Sequence, residues 1–420
     1  MKLQFTFFKR KCVLLLCALL LLTGCGMEQR PGEEISRQIP AETPGSTVEA
    51  GTEQENRKQE VSEKELQELT PAKPDDIERI CMQQGNSYYY WQLGSMEQKV
   101  YGEILYVLEN QEKDIPLSVT DSSTIEKVFQ SVLNDHPEIF YVEGYTITRY
   151  TLGEEVKMVT FSGTYTMTPE TIRENQQKIE NYVQQCFANL PSGEGEQYFI
   201  AKYIYEYLIA NTEYDASSPD NQNICSVFLY RRSVCQGYAK ATQYLLQRAG
   251  IQAALVMGTV QNGEGHAWNL VFLDGEYYYM DTTWGDASYQ VMEGSGDEMA
   301  GNIPPINYDY LCVTTAQLMK THQIEQVVPV PLCTAMQDNY YVHEGLYFET
   351  MDEERFASVF ANAYESGSNY VTLKCSSEEV YTQLRHFLIE EQGIFQFLHA
   401  QTGTVSYAEN AEQLSLSFWL

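Results

Sequence analysis

The stretch GHAWNLVFLDGEYYYMDTTW, residues 265–284, decides the fold of the central part of this chain. It consists of two runs of apolar and aromatic residues on either side of Asp274-Gly275. Asp-Gly between two such runs is among the strongest short-range signals for a β-hairpin with a two-residue loop. We therefore predict two antiparallel strands in which Leu273 lies opposite Glu276.

The register of this hairpin brings two titratable side chains together. Counting back from the loop aligns Trp268 with Asp281 and His266 with Thr283. Side chains alternate between the two faces of a strand, so all four point to one face, and His266 and Asp281 become diagonal neighbours. A carboxylate there can fix the tautomer of the imidazole, which leaves the other ring nitrogen for a thiol. A shift of one residue would destroy this arrangement.

The candidate thiol is that of Cys235. The sequence Ser233-Val234-Cys235-Gln236 has the form of a capping box, and apolar residues at helical spacing follow it. We therefore predict Cys235 in the first turn of a helix, where the partial positive charge favours a thiolate. On its own, such a cysteine is more often a small apolar residue packed at a helix start. Together with His266 and Asp281 it provides the nucleophile, base and orienting group of covalent catalysis.

Four short motifs resemble the transglutaminase-like superfamily. They are Val-Cys-Gln-Gly-Tyr-Ala at 234–239, Gly-Ile-Gln-Ala at 250–253, Gly-His-Ala-Trp-Asn at 265–269 and Asp-Thr-Thr-Trp at 281–284. The resemblance implies a papain-like core in which a helix packs on an antiparallel sheet. It implies that Cys235 is the nucleophile, His266 the general base and Asp281 its orienting partner. It also makes Gln222 a candidate oxyanion donor, and Ser233 stands where many members have glycine.

The same resemblance implies a reaction. The Cys235 thiolate would attack a peptide or carboxamide carbonyl and form a thioester, and we expect water to resolve it, as in a cysteine peptidase or amidase. Transfer to an amine, as in a cross-linking transglutaminase, is the alternative, and a cell-surface binding module without turnover is a third interpretation. Trp268 and Trp284 either shape the cleft or, more commonly for such residues, pack in the core. We expect no cofactor and no metal, because no Cys/His cluster has zinc spacing.

Composition and periodicity divide the chain into five segments. Glu, Gln, Pro, Ser and Thr dominate the stretch after the N-terminus, which cannot bury enough apolar surface to fold. Alternating helical and extended patterns flank the predicted catalytic core on both sides. We predict an α+β protein with a signal peptide at 1–24, a disordered acidic tether at 25–76, an accessory α+β region at 77–190, a transglutaminase-like catalytic domain at 191–331 and a C-terminal α+β module at 332–420.

The N-terminus predicts export and attachment to a membrane. Basic residues precede a short apolar run that ends in Leu-Thr-Gly-Cys at 22–25, which resembles the lipobox of bacterial lipoproteins. By that resemblance Cys25 carries the lipid, and the protein is an extracytoplasmic, membrane-anchored lipoprotein that acts on proteins or peptides outside the cytoplasm. A formal net charge of −31 argues against nucleic acid as a partner, because nucleic-acid binding needs a basic surface.

The sequence assigns no partner to the other histidines and cysteines. We expect structural roles for His136, His322, His343, His386 and His399. Seven cysteines follow the targeting segment, and this odd number lacks the spacing of a disulfide framework, so at least one thiol should stay free. The stretch 285–307, rich in glycine and acidic residues, directly follows the site and is a candidate loop for controlling substrate access.

Overall fold

A computed structural model describes residues 56–191, 197–286, 304–399 and 403–420. The described chain is α+β, as predicted, with helices packed on three four-stranded sheets. The predicted signal peptide, Cys25, the first part of the tether and most of the candidate access loop lie outside the described residues. Within these ranges, no helix combines the length and the apolar character that crossing a bilayer requires.

The N-terminal part, residues 56–191, packs helices on a four-stranded sheet. Its strands are β1 (Asn56–Glu60), β2 (Ile115–Pro116), β3 (Val142–Leu152) and β4 (Glu155–Tyr165), and they lie in the order β1-β3-β4-β2. Its helices are α1 (Glu63–Glu68), α2 (Pro74–Met82), α3 (Tyr88–Gln92), α4 (Ser95–Asn110), α5 (Ser122–Asp135) and α6 (Pro169–Phe187). The side chains of Asp121 and Thr168 cap α5 and α6, because each accepts a hydrogen bond from the backbone of the first turn.

The predicted end of the tether at residue 76 is wrong. Strand β1 pairs in parallel with residues 147–151 of β3, and Val61 behind it is buried. Ser62 and Glu65 then form both hydrogen bonds of a capping box at the start of α1. Composition alone could not identify this strand, since its side chains are polar and its order comes from backbone pairing with β3. The folded chain therefore includes residues 56–76.

The central part contains the predicted hairpin. Its strands are β5 (Glu213–Tyr214), β6 (Arg232–Ser233), β7 (Gln252–Val260), β8 (Gly265–Leu273), β9 (Glu276–Met280) and β10 (His322–Glu325). Its helices are α7 (Gln197–Asn211), α8 (Cys235–Arg248), α9 (Thr282–Gly285) and α10 (Thr315–Leu318), with a π-helical turn at Ser226–Tyr230 and a 3-10 turn at Tyr308–Tyr310. An antiparallel sheet of order β10-β7-β8-β9 packs against α8, which is the predicted helix-on-sheet core.

The hairpin β8–β9 forms in the predicted register. Leu273 lies opposite Glu276, and the ladder continues without a shift to the end of β9. The two loop residues both have positive φ, with Asp274 at 47° and Gly275 at 94°. This is the loop conformation that matches the twist of the flanking strands, and glycine adopts it without steric cost.

The C-terminal part forms a small module of its own. Its helices are α11 (Tyr340–His343), α12 (Glu353–Ser366) and α13 (Glu378–Arg385), followed by a π-helical turn at His386–Glu390 and a 3-10 turn at Gly393–Gln396. Its strands are β11 (Tyr347–Phe348), β12 (Tyr370–Cys375), β13 (Tyr407–Asn410) and β14 (Ser415–Trp419), in the order β11-β12-β14-β13. Its hydrophobic core begins at Phe348, whereas Cys333 still packs in the larger core before it.

One hydrophobic core joins the N-terminal and central parts. The hydroxyl of Tyr89 in α3 donates to the carbonyl of Leu255 in β7 at 2.7 Å. The side-chain amide of Gln243 in α8 donates to the carbonyl of Asn134 in α5, also at 2.7 Å. The N-terminal part therefore packs on the face of the central part on which α8 and β7 lie, and the two share one continuous interior.

Candidate active site

Cys235 is the first residue of α8, as predicted. The predicted capping box is wrong, because Val234 occupies the cap position and offers no side-chain hydrogen bond. Ser233 belongs to β6, and its hydroxyl instead contacts the hydroxyl of Ser226 at 2.6 Å and the carbonyl of Asn221 at 3.2 Å. The first amides of α8 consequently have no side-chain cap, and they can donate to a negatively charged oxygen.

The segment that carries Gln222 packs directly against the start of α8. Gly237 makes this contact possible, since a Cβ there would overlap the hydroxyl of Ser233 and lie 2.8 Å from the carbonyl oxygen of Asn221. Gln222 follows Asn221 in this loop and is half-buried. It therefore lies beside the helix start, and its role as an oxyanion donor stays a prediction.

His266 and Asp281 are in direct contact. Nε2 of His266 lies 2.7 Å from Oδ2 of Asp281, and their side chains are 3% and 0% exposed. The ladder of the hairpin ends one residue before Asp281. The predicted strand pairs of Trp268 with Asp281 and of His266 with Thr283 are therefore wrong. Asp281 leaves the sheet because its Oδ1 accepts hydrogen bonds from the backbone of Thr283 and Trp284, which caps α9.

A second histidine reaches the same carboxylate oxygen. Nε2 of His322 lies 3.0 Å from Oδ2 of Asp281, and Nδ1 lies 2.7 Å from the hydroxyl of Thr321. The expectation that His322 has no partner comparable to that of His266 is therefore wrong. His322 begins β10, which pairs with β7 and so lies on the far side of the sheet from β9. No sequence signal could have located it, because it follows Asp281 by 41 residues and β10 has only four.

Aromatic rings enclose the two histidines. The Trp268 ring lies 5.9 Å from His266 and 4.9 Å from His322 between centroids, and the Trp284 ring lies 6.0 Å and 4.8 Å from the same rings. Tyr310 adds a third ring, 5.6 Å from His322. Trp268 is fully buried and belongs to the core, whereas Trp284 is half-buried. Because these rings exclude water, they strengthen the electrostatic interactions of the histidines.

Burial and hydrogen bonding give neighbouring groups different charges. Burial lowers the pKa of His266, but the Asp281 carboxylate and the Cys235 thiol outweigh it, so the pKa of His266 is raised well above its usual range. Burial would raise the pKa of Asp281, yet His266 and His322 hold it below its usual range. For His322, burial outweighs the bond to Asp281 and lowers the pKa. Near neutral pH the cluster therefore holds an imidazolium, a carboxylate and a neutral imidazole.

The histidine neighbour distinguishes Cys235 from the other thiols. All seven cysteines of the described residues are free; Cys81 and Cys235 are half-buried, and the others are buried. Burial raises the pKa of Cys81, and the negative charge of Glu103 raises it further. Cys81 thus resembles Cys235 in exposure and differs from it in electrostatic surroundings.

His266, Asp281 and His322 also have the residue types of a metal site, with ligand atoms that lie within 4.8 Å of one another. Zinc takes four protein ligands in structural sites, and in catalytic sites it takes three and keeps an open position for water. This cluster offers three ligands whose side chains are at most 3% exposed. Both imidazole Nε2 atoms lie at hydrogen-bonding distance from one oxygen of Asp281, at 2.7 Å and 3.0 Å, so the three side chains are arranged as hydrogen-bond partners of one another.

The segment that carries this cluster matches a known family. Residues 184–282 match the Transglutaminase-like superfamily. This segment is a transglutaminase-like domain. Two curated relatives, the kyphoscoliosis peptidases of Mus musculus and Homo sapiens, are each 32% identical to the chain over an alignment of 98 positions that covers 20% of this chain and 15% of theirs. The similarity to these peptidases therefore concerns a small part of their length.

Two solved structures resemble the chain over about a third of its length. One is a TGase that is 15% identical, with a TM-score of 0.25, and the match covers 33% of this chain and 50% of the TGase. The other is a provisionally assigned cysteine protease from Cytophaga hutchinsonii. It is 12% identical, with a TM-score of 0.22, and the match covers 32% of this chain and 61% of the other.

Proposed function

We propose that the chain is a thiol enzyme that cleaves peptide or carboxamide bonds through an acyl-enzyme on Cys235. One observation carries the proposal: Nε2 of His266 is bonded to Asp281 at 2.7 Å, which leaves Nδ1 for the neighbouring thiol of Cys235. In this proposal His266 moves the proton and Asp281 fixes the ring in the required tautomer. The similarity to kyphoscoliosis peptidases over part of the chain supports hydrolysis.

The proposed reaction begins with the Cys235 thiolate and protonated His266. The sulfur bonds to the carbonyl carbon, and the carbonyl electrons move to the oxygen, which the uncapped amides at the start of α8 stabilise. The Gln222 side chain is the proposed second donor to this oxygen. The intermediate collapses to a thioester when the carbon–nitrogen bond breaks and His266 gives its proton to the departing amine. Water, deprotonated by His266, then attacks the thioester carbon, and the carbon–sulfur bond breaks, which releases the carboxylic acid and restores the Cys235 thiolate beside protonated His266.

The acceptor for the acyl group separates two activities. Water as acceptor gives a peptidase or amidase, and a lysine or another primary amine gives a cross-linking transglutaminase. We propose water as the acceptor. The full chain should be incubated with fluorescently labelled casein and with cell-surface proteins, each with and without dansylcadaverine.

We expect cleavage without incorporation of the amine. Cys235→Ser should abolish cleavage, whereas Cys81→Ser, with a similarly exposed thiol, should leave it unchanged. Incorporation of dansylcadaverine without cleavage would instead indicate a transferase. Binding of surface proteins with neither reaction would indicate a binding module on this fold.

We also propose that the chain is exported and held at a membrane by a lipid on Cys25. The support is the Leu-Thr-Gly-Cys sequence at 22–25 after a short apolar run. Cells expressing the full chain should incorporate labelled palmitate into it, and Cys25→Ala should lose both the label and membrane sedimentation. Membrane sedimentation that persists without the label would contradict the proposed anchor.

A further inference from the structure

The Asp281 carboxylate is held by four donors, of which the proposed reaction uses only one. His266 and His322 reach Oδ2 at 2.7 Å and 3.0 Å, while the backbone N–H groups of Thr283 and Trp284 donate to Oδ1 at 3.0 Å and 3.1 Å. The side chain of Asp281 is fully buried. A carboxylate fixed at both oxygens in this way cannot turn away from His266.

The proton of the second histidine can be placed by its partners. Asp281 is ionised, because its pKa lies below the usual range, and an ionised carboxylate only accepts hydrogen bonds. The proton of the neutral His322 is therefore on Nε2, which leaves Nδ1, 2.7 Å from the hydroxyl oxygen of Thr321, without a proton. In this state His322 donates to Asp281 without adding a second positive charge beside His266.

We propose that His322 is a positioning residue that holds the Asp281 carboxylate in line with His266 through a neutral N–H donor. The proposal rests on the proposed function and adds a fourth residue to it. The Nε2–H of His322 bonds to the same oxygen, Oδ2, as His266. This second hydrogen bond limits how strongly Asp281 attracts the proton on His266. Loss of the donor should therefore loosen the carboxylate and make His266 hold its proton more strongly.

A glycine in β7 permits the contact between His322 and Asp281. Gly258 lies in β7 opposite residues of β10, and a Cβ there would overlap the carbonyl oxygen of Gln323 and lie 2.8 Å from the Trp268 ring. Glycine thus allows the close approach of β10 that brings His322 to the carboxylate.

The surroundings of His322 leave few groups that could disturb its titration. Among the described residues, the titratable groups that face it are Asp281, His266 and Tyr310. Burial raises the pKa of Tyr310, so this ring stays neutral. The charge state of His322 is therefore governed by Asp281 and His266.

The test compares two replacements of His322 that differ in the donor. His322→Phe keeps an aromatic ring among Trp268 and Trp284 but removes the donor, whereas His322→Gln keeps an N–H near the position of Nε2. His343→Phe is the matched control, because His343 also stacks on an aromatic ring, that of Tyr198 at 3.7 Å. For each full-length variant we would measure kcat, KM and the rate of Cys235 alkylation by iodoacetamide against pH.

We expect His322→Phe to lower kcat about 10- to 100-fold, less than the roughly 10⁴-fold loss typical when the orienting carboxylate itself is replaced. KM should stay within about twofold of the wild-type value. The alkaline limb of the pH profiles of kcat and of the alkylation rate should move to higher pH. His322→Gln should recover most of kcat and the original limb. A folded His322→Phe variant with unchanged kcat and pH limb would overturn the proposal, as would a Gln variant as impaired as Phe.

Alkylation needs no substrate, so it separates this proposal from the proposed function. Selective, pH-dependent alkylation of Cys235 without cleavage of any substrate would count against the peptidase, and the His322 variants would still test the positioning role. Equilibrium dialysis with Zn²⁺ alone provides a further check. One zinc ion bound per chain and lost in His322→Phe would overturn the proposal in favour of a metal site.

Discussion

Asp281→Asn changes one atom of the carboxylate and should remove most of the activity. Asn offers one acceptor oxygen and one NH₂ donor, whereas Asp281 uses both oxygens as acceptors. The oxygen is held towards the backbone N–H groups of Thr283 and Trp284, which lie 3.0 Å and 3.1 Å from Oδ1. The NH₂ group must then face Nε2 of His266 and of His322, where it can only donate.

The consequence is a wrong tautomer at His266. An Nε2 that accepts a hydrogen bond forces the ring proton onto Nδ1, the nitrogen that faces the Cys235 thiol, so the neutral ring cannot take the thiol proton. The same exchange in a serine protease costs about 10⁴ in kcat, which corresponds to about 5.4 kcal/mol at 1.36 kcal/mol per factor of ten. We expect a loss of this size here.

The assay is cleavage of labelled casein under conditions that give kcat and KM, together with urea unfolding. The cap of α9 survives in Asp281→Asn, so the variant should remain folded and lose no more than about 1–3 kcal/mol in free energy of unfolding, as for a weakened buried hydrogen bond. A folded variant that retains more than a tenth of the wild-type kcat would refute the role of Asp281 in setting the tautomer.

Gly258→Ala should disrupt the sheet, because the added Cβ overlaps the carbonyl oxygen of Gln323; we expect denaturant unfolding to show a loss of about 1–3 kcal/mol, and wild-type stability would contradict this contact. Lys374→Met should cost about 3–5 kcal/mol in the same assay, since it removes the cation 2.8 Å from Asp309 and leaves that buried carboxylate with hydrogen bonds from uncharged groups such as Ser415 and Asn410, and adding Asp309→Asn should recover part of the loss. Without that recovery, the ion pair would not explain the effect. The value of kcat/KM should stay high through neutral pH. It should fall only as the pH rises through the raised pKa of His266, because the imidazolium is lost there. A fall centred near the ordinary histidine pKa of about 6.5 would contradict the Asp281 contact.

The hairpin could be predicted because it depends on a local signal, whereas the His266–Asp281 contact forms although the strand pairing from which it was predicted does not, since Asp281 leaves the ladder to cap α9. Asp274-Gly275 fixes the loop, the loop fixes the register, and the register determines which side chains share a face. The start of α8 at Cys235 could likewise be predicted, although the capping box that predicted it does not form. Ser233 is one residue too early to cap the helix, and its hydroxyl instead bonds to that of Ser226 in the preceding π-helical turn.

The features that the sequence did not reveal depend on distant partners. His322 gains its role only because β10 pairs with β7, and no periodicity marks a strand of four residues. Strand β1 is polar and is ordered by its partner β3. The single core shared by the N-terminal and central parts arises from contacts between residues more than a hundred positions apart, such as Tyr89 and Leu255.

The most direct test of the central claim is the alkylation of the full chain by iodoacetamide at neutral pH, followed by mass spectrometry of all seven cysteines in the described residues. A thiol paired with His266 should react selectively at Cys235, and His266→Ala should lower that rate by about 10²-fold or more, while Cys81 should react slowly in both proteins. Equal labelling of Cys235 and Cys81, or a rate at Cys235 that His266→Ala leaves unchanged, would contradict a catalytic thiol.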